Sequence, residues 1–175
     1  MEQVWRRGEF EISTERARLD FAVLHDFLSR QSYWARGRSL DLIKRSVDNS
    51  LPFGLYKSGR QIGFARVVTD RATFAWLADV FVLAEFRGQG LAKWMVEVIL
   101  AHPELQNLRR WVLATRDAHE LYRRCGFEAL AQPDRWLERF DPRQGPSGLD
   151  SSEPAAPDAV VEGAKGAGAA EEGRV

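Results

Sequence analysis

The chain has 175 residues, 45% apolar and 29% charged, and its 25 Lys and Arg balance 25 Asp and Glu. Single cores usually occupy about 100 to 200 residues, so one domain is expected, and the even charge balance excludes the basic excess that nonspecific nucleic-acid binding needs. No stretch approaches the ~18 consecutive apolar residues of a membrane span, so a membrane partner is not expected either.

Met1 to Arg7 runs into charged sequence without the apolar segment of a secretory signal, which predicts a cytoplasmic protein. Phe10 to Ser13 reads as a short first strand, and Leu19 to Ser29 spaces Leu19, Val23 and Phe27 as a helix does. Tyr33-Trp34-Ala35-Arg36-Gly37 follows as a connection. Ser39 is placed to cap a second helix that ends in the turn formers Asp48-Asn49-Ser50.

Phe53 to Tyr56 and Ile62 to Val68, joined through Ser58-Gly59, predict an antiparallel hairpin. Thr73 to Leu83 is apolar on both faces, as a covered central strand would be, with Asp79 its only charge. A carboxylate there is either a structural hydrogen-bonding group or a candidate general base.

Leu91 to Leu100 predicts a helix, Trp111 to Ala114 a strand, and Ala118 to Cys125 a helix closed by Gly126 in a left-handed cap. Phe127 to Leu130 and Arg135 to Phe140 are two further strand candidates across a Pro133-Asp134 turn. The sum is a mixed α/β fold. Cys125 is the single cysteine, so neither an intrachain disulfide nor a cysteine-based zinc site is available. From Asp141 onward seven acidic residues face three basic ones, and the composition shifts to Gly, Ala, Pro, Ser and Glu, which predicts a domain at 1–141 and a flexible tail at 142–175.

The chemistry concentrates where the apolar strand meets the following helix, at Arg87-Gly88-Gln89-Gly90-Leu91-Ala92. Free N–H groups and the positive end of the helix dipole suit a pyrophosphate there, and the glycines let it approach the backbone. A dinucleotide fingerprint would need a third glycine at Lys93, and a P-loop would need Gly-Lys-Ser/Thr; the chain has neither.

The segment resembles the cofactor motif of the GNAT superfamily of N-acetyltransferases: Arg or Gln, two residues, Gly, one residue, then Gly or Ala. Arg87, Gly90 and Ala92 match it, and Leu121-Tyr122-Arg123-Arg124-Cys125-Gly126-Phe127 is similar to the family's late Tyr and Gly-Phe signature. Element order from Phe10 to Phe140 agrees with the family's mixed, mostly antiparallel sheet flanked by helices.

The resemblance implies direct transfer of acetyl from acetyl-CoA, as cosubstrate, to a primary amine on a small molecule or peptide. The transfer passes through a tetrahedral intermediate and uses no metal. It implies that Gly88 to Ala92 hold the pyrophosphate, that Val80, Phe81 and above all Val82 meet the pantetheine arm, and that Tyr122 protonates the departing thiolate. The base is Asp79 or an ordered water, and Tyr33, Trp34 and Trp76 flank the acceptor. The protein is expected as a monomer or homodimer. A noncatalytic CoA-binding or partner-binding module of the same fold is the alternative.

Overall fold

In a computed structural model, residues 2–140 are described; the tail expected at 142–175 lies outside them. Six strands form one sheet in sequence order: β1 (Val4–Arg7), β2 (Phe10–Ser13), β3 (Leu51–Lys57), β4 (Arg60–Thr69), β5 (Phe74–Val82) and β6 (Arg110–Val112). All neighbours are antiparallel except β5 and β6, which are parallel, as the connecting helix α3 (Leu91–Leu100) requires.

The sheet is covered on both faces. Ile12, Phe53, Leu55, Ile62, Leu77, Val80 and Val82 pack with Leu91, Met95, Val96 and Ile99 of α3. On the other face Phe64 and Phe81 meet Leu24 of α1 (Phe21–Asp26), Ile43 and Val47 of α2 (Leu40–Asp48), and Phe27 and Leu28 of the π-helical turn that extends α1. Phe27 and Phe81 stack at 3.9 Å between centroids, 7° from parallel. Asp20 caps α1 by accepting from Ala22 and Val23 N–H, and Ser39 caps α2 by accepting from Leu42 N–H, as its position predicted.

Two expectations need correction. The first strand is β1, not Phe10 to Ser13. It pairs with β2 across Gly8, whose φ of 58° makes the turn, and carries Trp5 against Phe53 and His102. Nor do Phe127 to Leu130 and Arg135 to Phe140 form strands. Pro133–Arg135 is instead a single 3-10 turn, and beyond Phe127 the large apolar side chains Leu130, Leu137 and Phe140 are exposed, so no continuous covered face holds these residues in a ladder.

His102, just past α3, is buried between the Trp5 and Phe53 rings. Its Nδ1 accepts from Glu104 N–H at 3.2 Å, while its Nε2 is buried without a partner. Burial lowers its pKa below 6.5, so the folded state keeps it neutral while the unfolded chain protonates near the ordinary value. The unfolded state therefore binds more protons as pH falls through about 6.5, and the neutral-His contribution to stability, constant above that value, is lost below it. His102→Asn retains an acceptor for Glu104 N–H but cannot titrate. Its melting temperature is expected to fall less than that of the unmodified protein between pH about 7 and about 5.

Candidate active site

The register between β4 and β5 changes by one residue: Arg66 faces Ala78, but Phe64 faces Phe81. β5 thus holds one extra residue, a bulge, and Asp79 makes it at a φ of +53°, a left-handed conformation that Asp tolerates better than most side chains. Leu77 lies on the α3 face, so regular alternation would put Asp79 there too. The bulge turns it to the other face, toward Trp34, Arg38 and Arg66.

Asp79 is 6% exposed and well partnered. Its Oδ1 accepts from Trp34 Nε1 at 3.1 Å, its two oxygens from one terminal nitrogen of Arg38 at 3.3 and 3.2 Å, and its Oδ2 from Arg66 Nε at 2.5 Å. Two guanidiniums compensate the buried charge and fix the carboxylate's direction.

Past the bulge, Leu83 N–H bonds Ile62 C=O at 2.8 Å, and Phe81 is two residues before it. Polar groups alternate along a strand, so Phe81 addresses β4 while the N–H groups of Val80 and Val82 point away from it. Sequence reasoning grouped Phe81 with Val80 and Val82 as a cofactor contact; its backbone is committed to β4 and its ring to the core beside α1. β6 pairs only with Phe74, Ala75 and Trp76. Beyond them no β6 residue pairs with β5, and Val80 and Val82 face the gap this leaves.

The same gap receives the start of α3. Gly88 and Gly90 adopt φ of 75° and 68°, conformations open to glycine. Trp94 N–H bonds Gly90 C=O at 3.0 Å, so the N–H groups of Leu91, Ala92 and Lys93 have no intrahelical partner. A Cβ on Gly90 would project into open space. Arg87 turns back, its Nε donating to Val82 C=O at 3.1 Å, which ties the glycine turn to the strand end. Arg7 of β1 steadies the turn from outside, donating to Gln89 C=O at 3.0 Å with its guanidinium 4.9 Å from the Trp94 ring.

Tyr122 lies on α4 (His119–Arg123), which Gly126 closes at a φ of 86°, as predicted. It is 7% exposed, yet no described residue hydrogen-bonds its hydroxyl, which faces a cavity of about 230 Å³. Tyr33, Trp34, Arg38, Arg66, Trp76 and Asp79 also line that cavity, so the fold brings the predicted acceptor aromatics and both predicted catalytic residues together. Burial, foremost, raises the Tyr122 phenol far above its ordinary value and keeps it protonated. Tyr33 is half-tethered: its hydroxyl accepts from Arg116 N–H at 2.9 Å and its ring carries the Arg116 guanidinium at 3.9 Å.

Three charged residues of this cavity were given no role in the sequence reading: Arg38, Arg66 and Asp117. Arg66 carried a usable signal, a charge inside the apolar run Ile62 to Val68. Nothing local distinguishes Arg38 or Asp117 from surface charges.

A glycine-led helix start thus stands beside a gap in a mixed sheet, its first N–H groups without an intrahelical partner. Residues 48–129 match the model of the acetyltransferase (GNAT) domain. A candidate acetyltransferase of Gibberella zeae is 30% identical over 142 residues, covering 69% of this chain and 79% of that protein. A solved candidate GNAT acetyltransferase of Xanthomonas campestris pv. campestris is 44% identical, with a TM-score of 0.77, covering 81% of this chain and 100% of that one. A candidate acetyltransferase of Clostridium acetobutylicum solved with acetyl-CoA shares the fold at 14% identity and a TM-score of 0.54, covering 79% and 98%. The chain belongs to the GNAT family of acetyltransferases.

Removing the Asp79 carboxylate leaves two largely buried guanidiniums facing each other. Asp79→Ala is expected to lose about 3 kcal/mol of stability in urea unfolding, with Asp79→Asn, which keeps the shape and one acceptor, losing less.

Proposed function

We propose that this protein transfers acetyl from acetyl-CoA to a primary amine, with Tyr122 as the acid. One observation carries the reading: an unpartnered, buried and protonated phenol faces the cavity beside the strand edge where Val80 and Val82 present N–H groups. Acetyl-CoA supplies an activated thioester carbonyl. The unsatisfied N–H groups of Leu91, Ala92 and Lys93 fit its pyrophosphate, and the open side of Gly90 gives the room.

Val82, aided by Val80, is assigned to the pantetheine arm and the thioester oxygen, since its N–H faces the gap and a fixed backbone donor needs no reorganisation. In the transfer the amine nitrogen bonds the carbonyl carbon, the carbon–sulfur bond breaks, Tyr122 gives its proton to sulfur, and the proton that nitrogen sheds as the amide forms restores the phenol, directly or through water. The amine must first shed a proton, because an ammonium with a pKa of about 10 has no lone pair. Asp79 already accepts from three donors, so we assign it to holding Trp34, Arg38 and Arg66 in place, and the amine's proton to water. Tyr33, Trp34 and Trp76 wall the acceptor side.

Two substitutions test the halves of this reading. Gly90→Glu puts bulk and negative charge where the pyrophosphate is assigned, and the left-handed φ costs about 1 kcal/mol for any side chain. Calorimetry is expected to show acetyl-CoA affinity falling at least ~100-fold, with Gly90→Ala losing much less; unchanged affinity in folded Gly90→Glu would remove the cradle. Tyr122→Phe keeps the ring and its edge contact to Phe127 at 5.9 Å. It is expected to change stability by about 1 kcal/mol or less and leave acetyl-CoA affinity alone, while kcat falls about 10²- to 10⁴-fold. A kcat near that of the unmodified protein, with chemistry limiting, would return Tyr122 to the core.

A further inference from the structure

Resting on the acetyl-transfer reading and sharpening it, we infer that the acceptor amine also carries an anionic oxygen group, a carboxylate or phosphate, seated on Arg38 and Arg66. Both guanidiniums line the cavity that Tyr122 faces, with side chains only 22% and 13% exposed. Asp79 occupies one terminal nitrogen of Arg38 and the Nε of Arg66. Among the described residues nothing bonds the remaining terminal nitrogens of either arginine. These donors open to the cavity, and a guanidinium edge presents two in the geometry of a carboxylate or phosphate. Two arginines against one aspartate also leave this wall with a net positive charge.

The cavity also carries an acid outside the Asp79 cluster. Asp117 lines it, half-buried, with no hydrogen bond to a described residue, and lies close enough to Tyr122 for its charge to act on the phenol. An ammonium drawn to Asp117 therefore arrives beside the acid, while an anionic group on the same molecule reaches the arginines. The acceptor is accordingly a molecule that carries both an amine and an anion.

The test uses the full chain with saturating acetyl-CoA and matched acceptors: amino acids against their decarboxylated amines, and phosphoethanolamine against ethanolamine. CoA release gives kcat/KM and mass spectrometry confirms the N-acetyl product. The anionic member of at least one pair is expected to exceed its neutral partner about 100-fold or more, by a margin that shrinks as salt rises. Which pair shows the margin separates carboxylate from phosphate. Arg66→Gln is expected to remove it; should that variant unfold, Arg66→Lys keeps a charge for Asp79 but loses the fork, and is expected to reduce it. Neutral amines accepted as well as anionic ones would overturn this inference and leave acetyl transfer standing. Acetyl-CoA binding without transfer to either class would overturn both.

Discussion

One residue inserted into β5 governs the arrangement of everything around the cleft. The bulge at Asp79 reverses alternation, and the consequences run in both directions along the strand. Upstream, Leu77 keeps its place under α3; downstream, Val80 and Val82 return to the same face while their N–H groups turn to the gap. Asp79 itself is sent to the far face, where an isolated carboxylate would be costly to bury. Arg66 on the adjacent strand, and Trp34 and Arg38 from the segment before α2, meet that need together. An irregularity in a strand thus helps pin the connection before α2.

The two halves of the cleft rest on different physics. The half formed by α3 is made of backbone: N–H groups left over at a helix start, glycines at positive φ, and a strand edge without a neighbour. Side chains there serve as ties, with Arg87 on Val82 C=O and Arg7 on Gln89 C=O fixing the turn from inside and outside. The other half is built from charged and aromatic side chains carried on β4, β5, α4 and two connections. Tyr122 stands at the boundary, its ring in the α3 core and its hydroxyl in the cavity.

That division explains what could be read from the sequence. The glycine turn, the bounds of α3, the Ser39 cap and the Gly126 cap are local, each written within a few adjacent residues. β1 was missed because an edge strand with alternating exposure, here Val-Trp-Arg-Arg, carries its signal in one half-buried tryptophan, and its arginines read as plain charge. Phe127 to Leu130 and Arg135 to Phe140 failed for the converse reason: their alternation is present, but Leu130, Leu137 and Phe140 remain exposed beside a three-residue β6. Asp79 announced itself as a charge in an apolar run, whereas its φ, its bulge and its partners 13, 41 and 45 residues away are tertiary facts.

The same division bears on how such a site can change its acceptor. A backbone cradle tolerates most substitutions that keep its glycines, so the cofactor half holds steady while side chains elsewhere vary. The arginines we assign to the acceptor lack that freedom, because each one also neutralises Asp79. Replacing one alters recognition and strands part of a buried charge in a single step, and the bulge that aims Val80 and Val82 rests on the same carboxylate. In the proposed transfer, acceptor choice and thioester geometry are therefore coupled through Asp79. Within that transfer, a change of acceptor that spares the chemistry has to work through Asp117, Tyr33 or Trp76, the wall residues that make no bond to Asp79.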